Sequence, residues 1–270
     1  ERIILFFMIL KDLEKPKNTK ITYKRLVMRS ISFLFDGKWM DLGHYIISET
    51  GNLYAKRVVL RKNKRLECPI CHHKSHYFMH LSNRFKISWN SACNNCNSRS
   101  RHRGLFFLYE KYLQTNNNKK ILHFAPESIL ENKIRNYTKN HYSTTDYFMP
   151  NVDYPGEDIQ NLTFDKESFD LVLSNHVLEH IQDDDKALSE IFRILKRGGM
   201  AIITVPGDWQ RLYTKTYTHL QFNGHYRDYG LDFIKKLERN FTKIKKYDLS
   251  KFNGKVYAIK PDELAFICIK

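Results

Sequence analysis

Short apolar runs alternate with amphipathic stretches along the chain from residue 119 onward. The apolar runs occupy residues 121–125, 142–147, 169–175, 201–205 and 264–269. Such alternation is typical of a parallel sheet whose strands are joined by crossover helices. The run FDLVLS, which opens the third of these segments, is apolar at successive positions, as expected for a strand covered on both faces. The pattern therefore predicts an α/β fold with this strand in mid-sheet.

Helices are predicted where apolar residues recur at spacings of three and four. Residues 183–196 place their apolar side chains on one face, begin with three aspartates suited to the positive helix end, and stop before a Gly-Gly pair. Residues 98–113 show the same spacing, and residues 231–239 predict a shorter helix. Residues 241–249 and 263–270 are predicted to pair as a hairpin-like edge of the sheet.

Composition narrows the class of protein. Hydrophobic residues make up 42% of the 270 residues and aromatic residues 14%, which favours a globular chain over a disordered one. The longest apolar run, residues 3–10, is far shorter than the roughly 20 residues of a membrane-spanning helix, so we expect none and a cytoplasmic location. A remnant of a signal sequence is the alternative interpretation of that run.

The net charge of +16 points to anionic partners. Basic residues concentrate at 56–65 and at 99–103, on either side of the cysteine-bearing segment. This arrangement favours either a phosphate-binding patch or a solvated basic face, and nucleic acid is therefore a possible partner.

Four of the five cysteines form two C-x-x-C pairs separated by 21 residues, a spacing typical of zinc sites: Cys68, Cys71, Cys93 and Cys96. Four thiolates complete a tetrahedral Zn²⁺ shell without an open position, which predicts a structural site. Two disulfides are the alternative, but they would leave Cys268 over, and a chain of this size does not need them. The histidines between the pairs are expected at the surface.

Three regions follow along the chain. Residues 1–64 carry no chemical motif, although residues 45–60 alternate in the manner of a strand. Residues 65–115 are predicted to form the zinc module and a linker helix, and residues 116–270 the α/β domain.

Two motifs of the α/β domain occur together at a characteristic separation. The first is FDLV…VLEHI at residues 169–181, and the second is R-x-LK-x-GG at residues 193–199. With these motifs the chain resembles S-adenosylmethionine-dependent methyltransferases of the Rossmann-like class I fold, in a bacterial branch that carries an N-terminal zinc ribbon. The resemblance implies a seven-stranded, mostly parallel sheet with helices on both faces and its last strand antiparallel. It also implies S-adenosyl-L-methionine as the cofactor, bound at the carboxyl ends of the first strands.

Candidate cofactor ligands follow the predicted strands. Ala125, Asp146 and Asn175 are expected to converge, because ligands of open α/β sheets bind outside the carboxyl ends of the strands. A carboxylate placed like Asp146 accepts hydrogen bonds from ribose hydroxyls. By resemblance to the family's third-strand motif before residues 160–164, Asp158 contacts the adenine amino group and Ile159 packs on the ring. Each aspartate has an alternative interpretation as a turn or cap residue.

The first loop reads His123-Phe124-Ala125-Pro126-Glu127. Set against the family's motif, His123 takes the place of an acid, Ala125 that of the first glycine and Glu127 that of the second. Glycines there let the backbone approach the cofactor closely. Pro126 is suited to the first turn of a helix, whose amides receive a carboxylate.

Candidate catalytic residues follow the fourth and fifth strands. His176 comes directly after residues 169–175 and is a candidate base, with His180 one helical turn later. In the HYRDY segment, His225 is a second candidate base and Arg227 a candidate anion clamp. Packed or capping side chains are the alternative for each.

The predicted function is a methyltransferase acting on a small-molecule or glycan acceptor. The chain lacks an Asn/Asp-Pro-Pro-Tyr/Phe tetrad after the fourth strand, which favours oxygen or carboxylate acceptors. An RNA methyltransferase, or a zinc-dependent binding protein with an inactive methyltransferase fold, are the alternatives.

Overall fold

The computed structural model describes residues 39–58, 66–82, 87–114, 118–218, 220–221 and 224–270, together with Arg29 and Ser32. Two compact units are present, the first within Glu1–Ser100 and Lys255–Ala258, the second comprising Arg101–Gly254 and Ile259–Lys270. The predicted boundaries after residues 64 and 115 stay predictions. The apolar run at residues 3–10 and most of the basic run at 56–65 lie outside the described residues.

Within residues 39–58, 66–82 and 87–99 the first unit contains one long helix and two small antiparallel ribbons. Its elements are α1 (Trp39–Val58), β1 (Leu66–Glu67), β2 (Lys74–Ser75), β3 (Met79–Ser82) and β4 (Ile87–Ala92). β1 pairs with β2, and β3 pairs with β4.

The strand predicted within residues 45–60 is wrong, since residues up to Val58 belong to α1. The buried positions Tyr45, Ser48 and Asn52 follow helical spacing. Two of these three residues are polar and are satisfied by hydrogen bonds: Ser48 donates to the Tyr45 carbonyl at 2.9 Å, and Asn52 accepts from the amide of His80 at 2.7 Å. An inner face that carries polar groups gives no apolar helical signal.

The second unit contains a seven-stranded sheet. Its helices are α2 (Ser100–Leu113, whose first residue belongs to the first unit), α3 (Ser128–Tyr137), α4 (Asp184–Ile194), α5 (Phe233–Glu238) and the first residue of α6 (Gly254–Tyr257, which otherwise belongs to the first unit), with 3₁₀ turns at Leu178–His180 and Leu249–Lys251. Its strands are β5 (Lys120–Phe124), β6 (His141–Asp146), β7 (Tyr154–Pro155), β8 (Phe169–Asn175), β9 (Leu195–Thr204), β10 (Lys215–Thr216), β11 (Arg227–Asp228), β12 (Lys243–Asp248) and β13 (Leu264–Ile269).

The sheet order is β12-β13-β9-β8-β5-β6-β7, and β10 pairs separately with β11. β13 is antiparallel to both of its neighbours, whereas the pairs from β9 to β7 are parallel. The predicted Rossmann-like sheet and its antiparallel last strand are confirmed. β8 lies in mid-sheet and is buried along almost its whole length, as its sequence predicts.

Local chemistry explains the boundaries of α4. The Asp183 side chain caps the helix by accepting a hydrogen bond from the amide of Lys186 at 3.0 Å. The predicted helix extends to residue 196, but the chain enters β9 at Leu195. Gly199 then lies so close to its neighbours that a Cβ would be 2.8 Å from the Lys196 carbonyl oxygen, so this position requires glycine.

Asp158 and Ile159, the residues of the predicted third-strand motif, lie outside the strands of the described sheet. The third strand of the parallel series is β7, which consists of Tyr154 and Pro155 and pairs with the end of β6. Proline lacks an amide hydrogen and limits a strand to the sheet edge. Residues 158–161 form a turn instead, in which the Asp158 carbonyl accepts from the amide of Asn161 at 2.8 Å.

Among the residues that the structure describes, no helix combines the length and the apolar character needed to cross a membrane.

Candidate functional site

The loops after β5 and β8 leave the sheet side by side, at the point where the strand order reverses. Both begin with a residue in the left-handed region: Ala125 has φ +45° and His176 has φ +51°. The amide of Ala125 donates to the Thr145 carbonyl, and the amide of His176 to that of Thr204, each fixing its loop to the neighbouring strand. The backbone of Ala125 therefore adopts a conformation that favours glycine, the residue that the family's motif has there.

Asn175, the last residue of β8, lies at the centre of a buried polar network. Its Oδ1 accepts from the hydroxyl of Tyr109 on α2 at 2.8 Å, and its Nδ2 lies 3.1 Å from His123 Nε2 and 3.2 Å from Glu127 Oε2. The predicted cofactor residues His123, Glu127 and Asn175 are thus brought together. Tyr109 was not predicted as a site residue, because its position on a helical face marks it as core.

His123 is fully buried and is neutral in this network. Burial lowers the pKa of His123 to about 3, with the positive charge of Arg135 adding to the effect. Because Asn175 Nδ2 can only donate, Nε2 is the acceptor, and Nδ1 donates to the hydroxyl of Tyr142 at 2.7 Å.

Glu127 caps α3 through its backbone, while its side chain points into the network. Burial raises the pKa of Glu127, and the charges of Arg101 and His176 oppose that shift. Oε1 lies 3.7 Å from Arg101 Nε and 3.6 Å from His102 Nε2, but it accepts no hydrogen bond from the residues described here. Pro126 precedes this cap, so its predicted place in the first helical turn is wrong.

Asp146 ends β6 and forms a tight turn with the residues that follow. Its Oδ1 accepts from the amides of Phe148 and Met149, each at 2.7 Å, which leaves Oδ2 outside these two bonds. Tyr147 and Phe148 follow it directly, and their exposed aromatic rings pack edge to face with ring centroids 4.8 Å apart. Asp146 is therefore a turn residue that retains one oxygen for a ligand.

Asp158 also occupies a turn, because its Oδ1 accepts from the amide of Gln160 at 2.9 Å. Ile159 is 4% exposed and belongs to the main hydrophobic core together with Leu162. Most of its surface thus packs within the domain, which leaves little for contact with an aromatic ligand.

A second cluster of polar groups follows β8. Glu179 is 1% exposed, and its Oε1 lies 3.3 Å from His176 Nδ1 and 3.8 Å from His180 Nε2. The rings of His180 and His225 contact each other edge to face, with centroids 4.9 Å apart. Burial lowers the pKa of His225. The predicted bases His176 and His225 thus lie around one buried carboxylate, whose role the sequence did not reveal.

Arg227 is buried and bonded within the protein. Its guanidinium donates to the carbonyls of Leu178, Ile181 and Gln182 at 2.6–3.2 Å, and lies 3.3 Å from Asp184 Oδ1. These partners hold the 3₁₀ turn to the start of α4. The arrangement disagrees with the predicted anion clamp, since the planar donors already have partners.

The four paired cysteines form a compact group in the first unit. Their sulfur atoms all lie within 4.8 Å of one another, with 3.6 Å between Cys68 and Cys96 and 3.7 Å between Cys71 and Cys93. Sulfurs bound at 2.3 Å to a tetrahedral Zn²⁺ are about 3.8 Å apart. All five cysteines are free thiols in the structure, so the disulfide alternative is not supported.

The two C-x-x-C turns share one backbone design. The amide of His72 donates to the Cys68 carbonyl at 2.8 Å, and the amide of Asn97 donates to the Cys93 carbonyl at 2.9 Å. Each donor residue has a left-handed backbone, with φ of +57° and +60°. Because the turns match, each presents its two thiols in the same way, and the donors fit the predicted zinc site.

Residues 121–203 match the family model described as a methyltransferase domain. The ubiquinone/menaquinone biosynthesis C-methyltransferase UbiE of Hydrogenovibrio crunogenus is 36% identical over 81 residues, which cover 30% of this chain and 32% of that protein. UbiE of Pseudoalteromonas translucida is 34% identical over 74 residues, 27% of this chain and 30% of that protein. The chain thus spans about a third of the length of the curated relatives it matches.

The solved structures to which the chain is similar include methyltransferases. The 1,6-didemethyltoxoflavin-N1-methyltransferase of Burkholderia thailandensis, solved with its substrate and S-adenosylhomocysteine, has a TM-score of 0.47 and 15% identity, over 63% of this chain and 78% of that one. Phosphoethanolamine N-methyltransferase 2 of Haemonchus contortus, in complex with S-adenosyl-L-methionine, has a TM-score of 0.41 and 19% identity, over 56% and 40% of the two chains.

Proposed function

We propose that this protein is an S-adenosylmethionine-dependent methyltransferase that carries a structural zinc site. The match of residues 121–203 to the methyltransferase domain carries the proposal, because these residues form β5, β6 and β8 and the loops at their carboxyl ends. The predicted cofactor residues His123 and Glu127 each lie there within hydrogen-bonding distance of Asn175.

The charge pattern around Glu127 fits the amino-acid part of the cofactor. Oε1 is buried and accepts no hydrogen bond from the part of the chain that the structure describes, and an ammonium group would satisfy it. Arg101 and His102, which lie 3.7 Å and 3.6 Å from this oxygen, would bind a carboxylate. A zwitterion carries both groups, which supports cofactor binding despite the missing glycines.

Two further features support the cofactor site. Ala125 has the left-handed backbone that favours glycine, so a glycine of the family's motif is replaced here with only a methyl group added. Asp146 Oδ2 remains for a ribose hydroxyl at the end of the neighbouring strand.

The chemistry proposed for the site is mainly positional. The cofactor supplies the methyl group, and the protein holds the acceptor in line with it, which reduces the entropic part of the barrier. His176 is the candidate general base, with 24% of its side chain exposed and Nδ1 3.3 Å from the Glu179 carboxylate. A carboxylate at Nδ1 holds the proton there and leaves Nε2 to accept one from the acceptor.

Binding of S-adenosylhomocysteine, measured by calorimetry, tests the cofactor site. We expect Asp146→Asn to weaken binding about tenfold to a hundredfold, since it removes a charged acceptor while keeping the turn-forming Oδ1. Asp165→Asn, at an exposed position before β8, is the matched control. No heat with the natural chain would favour the inactive binding protein, and equal affinity in Asp146→Asn would remove Asp146 from the site.

The acceptor class is proposed to be a small molecule or glycan that presents an oxygen nucleophile. Incubating the protein with labelled methyl donor and fractionated cell extract identifies the class directly. Label in RNA, with affinity that falls steeply between low and moderate salt, would establish the alternative that the net charge of +16 suggests. The cytoplasmic location stays a prediction.

The zinc site is proposed to be structural, because four thiolates leave no open position. We expect at least one zinc per chain by metal analysis, and cooperative loss of the first unit's structure when a chelator removes the zinc held by the cysteines. Cys96→Ser should lower the zinc content, whereas Cys268→Ser, in β13, should not. An iron–sulfur absorbance, or zinc retained after Cys96→Ser, would contradict the proposal.

A further inference from the structure

We propose that Glu179, His180 and His225 form a second metal site, which binds a divalent first-row transition-metal ion and keeps coordination positions open. One ligand atom from each residue lies within 4.8 Å of the others. Two imidazoles and one carboxylate are a donor set suited to such ions. The site belongs entirely to the second unit and does not depend on the zinc proposed for the cysteines.

Hydrogen bonding at His180 determines which ring nitrogen is available. Nδ1 lies 2.8 Å from the Gly224 carbonyl oxygen, which can only accept, so Nδ1 carries the proton. In the neutral ring, Nε2 then presents a lone pair, and it lies 3.8 Å from Glu179 Oε1. A lone pair and a carboxylate that face each other repel unless a cation lies between them.

Glu179 supplies an independent indication. The residue is 1% exposed, and its Oε2 has no hydrogen-bond partner among the described residues. A buried carboxylate oxygen without a partner is costly, and a bound cation removes that cost. The other oxygen of this carboxylate, Oε1, lies 3.8 Å from His180 Nε2. Two ligand atoms about 2.1 Å from a tetrahedral metal are expected roughly 3.4 Å apart, so a shift of a few tenths of an ångström would bring these two atoms to that separation.

Groups behind the ligands resemble the outer shell of known metal sites. His225 Nδ1 lies 3.5 Å from Asp228 Oδ1, while Asp228 Oδ2 accepts from the hydroxyl of Tyr217 at 2.5 Å. A carboxylate behind a histidine orients a metal ligand and raises its basicity. The amide of Tyr226 donates to the Glu179 carbonyl at 2.8 Å, which holds the segment of His225 against that of Glu179.

Titration with Co²⁺ of the full chain that carries one equivalent of zinc tests the site. We expect one Co²⁺ per chain with the weak visible absorption of nitrogen and oxygen ligands and without a thiolate charge-transfer band. His180→Ala and His225→Ala should each weaken Co²⁺ binding about tenfold or more. Substitution of outer-shell groups alone weakens metal binding by about tenfold or more, and these two residues are proposed to contact the metal directly. His141→Ala, at an exposed position at the start of β6, is the matched control and should bind normally.

Glu179→Gln separates metal binding from folding. The substitution removes the carboxylate charge but keeps the shape of the side chain, so the melting temperature of the metal-free chain should stay equal or rise while Co²⁺ binding is lost. Co²⁺ affinity that is unchanged in Glu179→Gln, or reduced as strongly in His141→Ala, would overturn the proposal, as would absence of bound Co²⁺ in the natural chain. None of these measurements depends on methyl transfer.

Discussion

Lowering the pH from 7 to 5 should destabilise the second unit through His123. The fully buried ring stays neutral down to its lowered pKa of about 3, whereas in the unfolded chain the ring is protonated below about 6.5. The unfolded state therefore binds more protons between these two values, and stability falls as the pH falls through that window. At pH 7 both states are mostly neutral, and the effect is small.

The size of the effect follows from the two pKa values. Between pH 7 and pH 5 the unfolded state gains about 2 kcal/mol relative to the folded state from this one ring. Glu127 works in the opposite direction, because burial raises its pKa and the folded carboxyl holds its proton more strongly than the unfolded one. The contribution of His123 is therefore obtained by comparison with a variant that does not titrate.

Urea unfolding at pH 7 and pH 5 measures this contribution. Trp209 packs against Phe266 of β13 and reports the second unit when the exposed Trp39 and Trp89 are replaced by Phe. In this background, His123→Gln should lose about 2 kcal/mol less on acidification than the chain with His123. Equal losses in the two chains, or an imidazolium signal from His123 by NMR at pH 5, would refute the reasoning.

Two substitutions test other parts of the site. Ala125→Gly should leave the free energy of unfolding unchanged or raise it by up to about 1 kcal/mol, and Ala125→Val should lower it by about 2 kcal/mol. The reason is that a φ of +45° penalises a Cβ and penalises a branched Cβ still more. Equal urea midpoints of the two variants would show that Ala125 is not strained. Arg227→Gln should lower the free energy of unfolding by about 3 kcal/mol, because Asp184 and three carbonyl groups lose a buried donor. Unchanged stability together with loss of ligand binding would instead support the interpretation of Arg227 as an anion clamp.

Much of the seven-stranded sheet could be predicted because several of its strands are apolar over consecutive residues. β5, β8 and β13 occupy the predicted runs to within one or two residues, and α4 begins at its predicted aspartates. In these elements burial requires apolar side chains, so the sequence pattern and the structure have one physical cause.

Elements stabilised by polar contacts could not be predicted in this way. The inner face of α1 uses Ser48 and Asn52, whose hydrogen-bonding role is visible only once their partners are known. β7 is two residues long and gives no pattern. Asn175 is predicted from its position at the carboxyl end of a strand and His123 from the resemblance to the family's first-loop motif, whereas Glu179 lies in a motif whose polar residues the sequence alone does not assign.

The place of β13 between β9 and β12 has a consequence for how the protein is made. β12 leaves the ribosome earlier, yet it has no neighbour in the sheet until β13 arrives and pairs with both. Until then β9, whose residues Ala201–Ile203 are fully buried in the finished domain, presents an open edge that nascent chains of other molecules can pair with. Rapid synthesis of this last segment, or a chaperone that covers the edge meanwhile, should therefore govern the yield of folded protein in a cell.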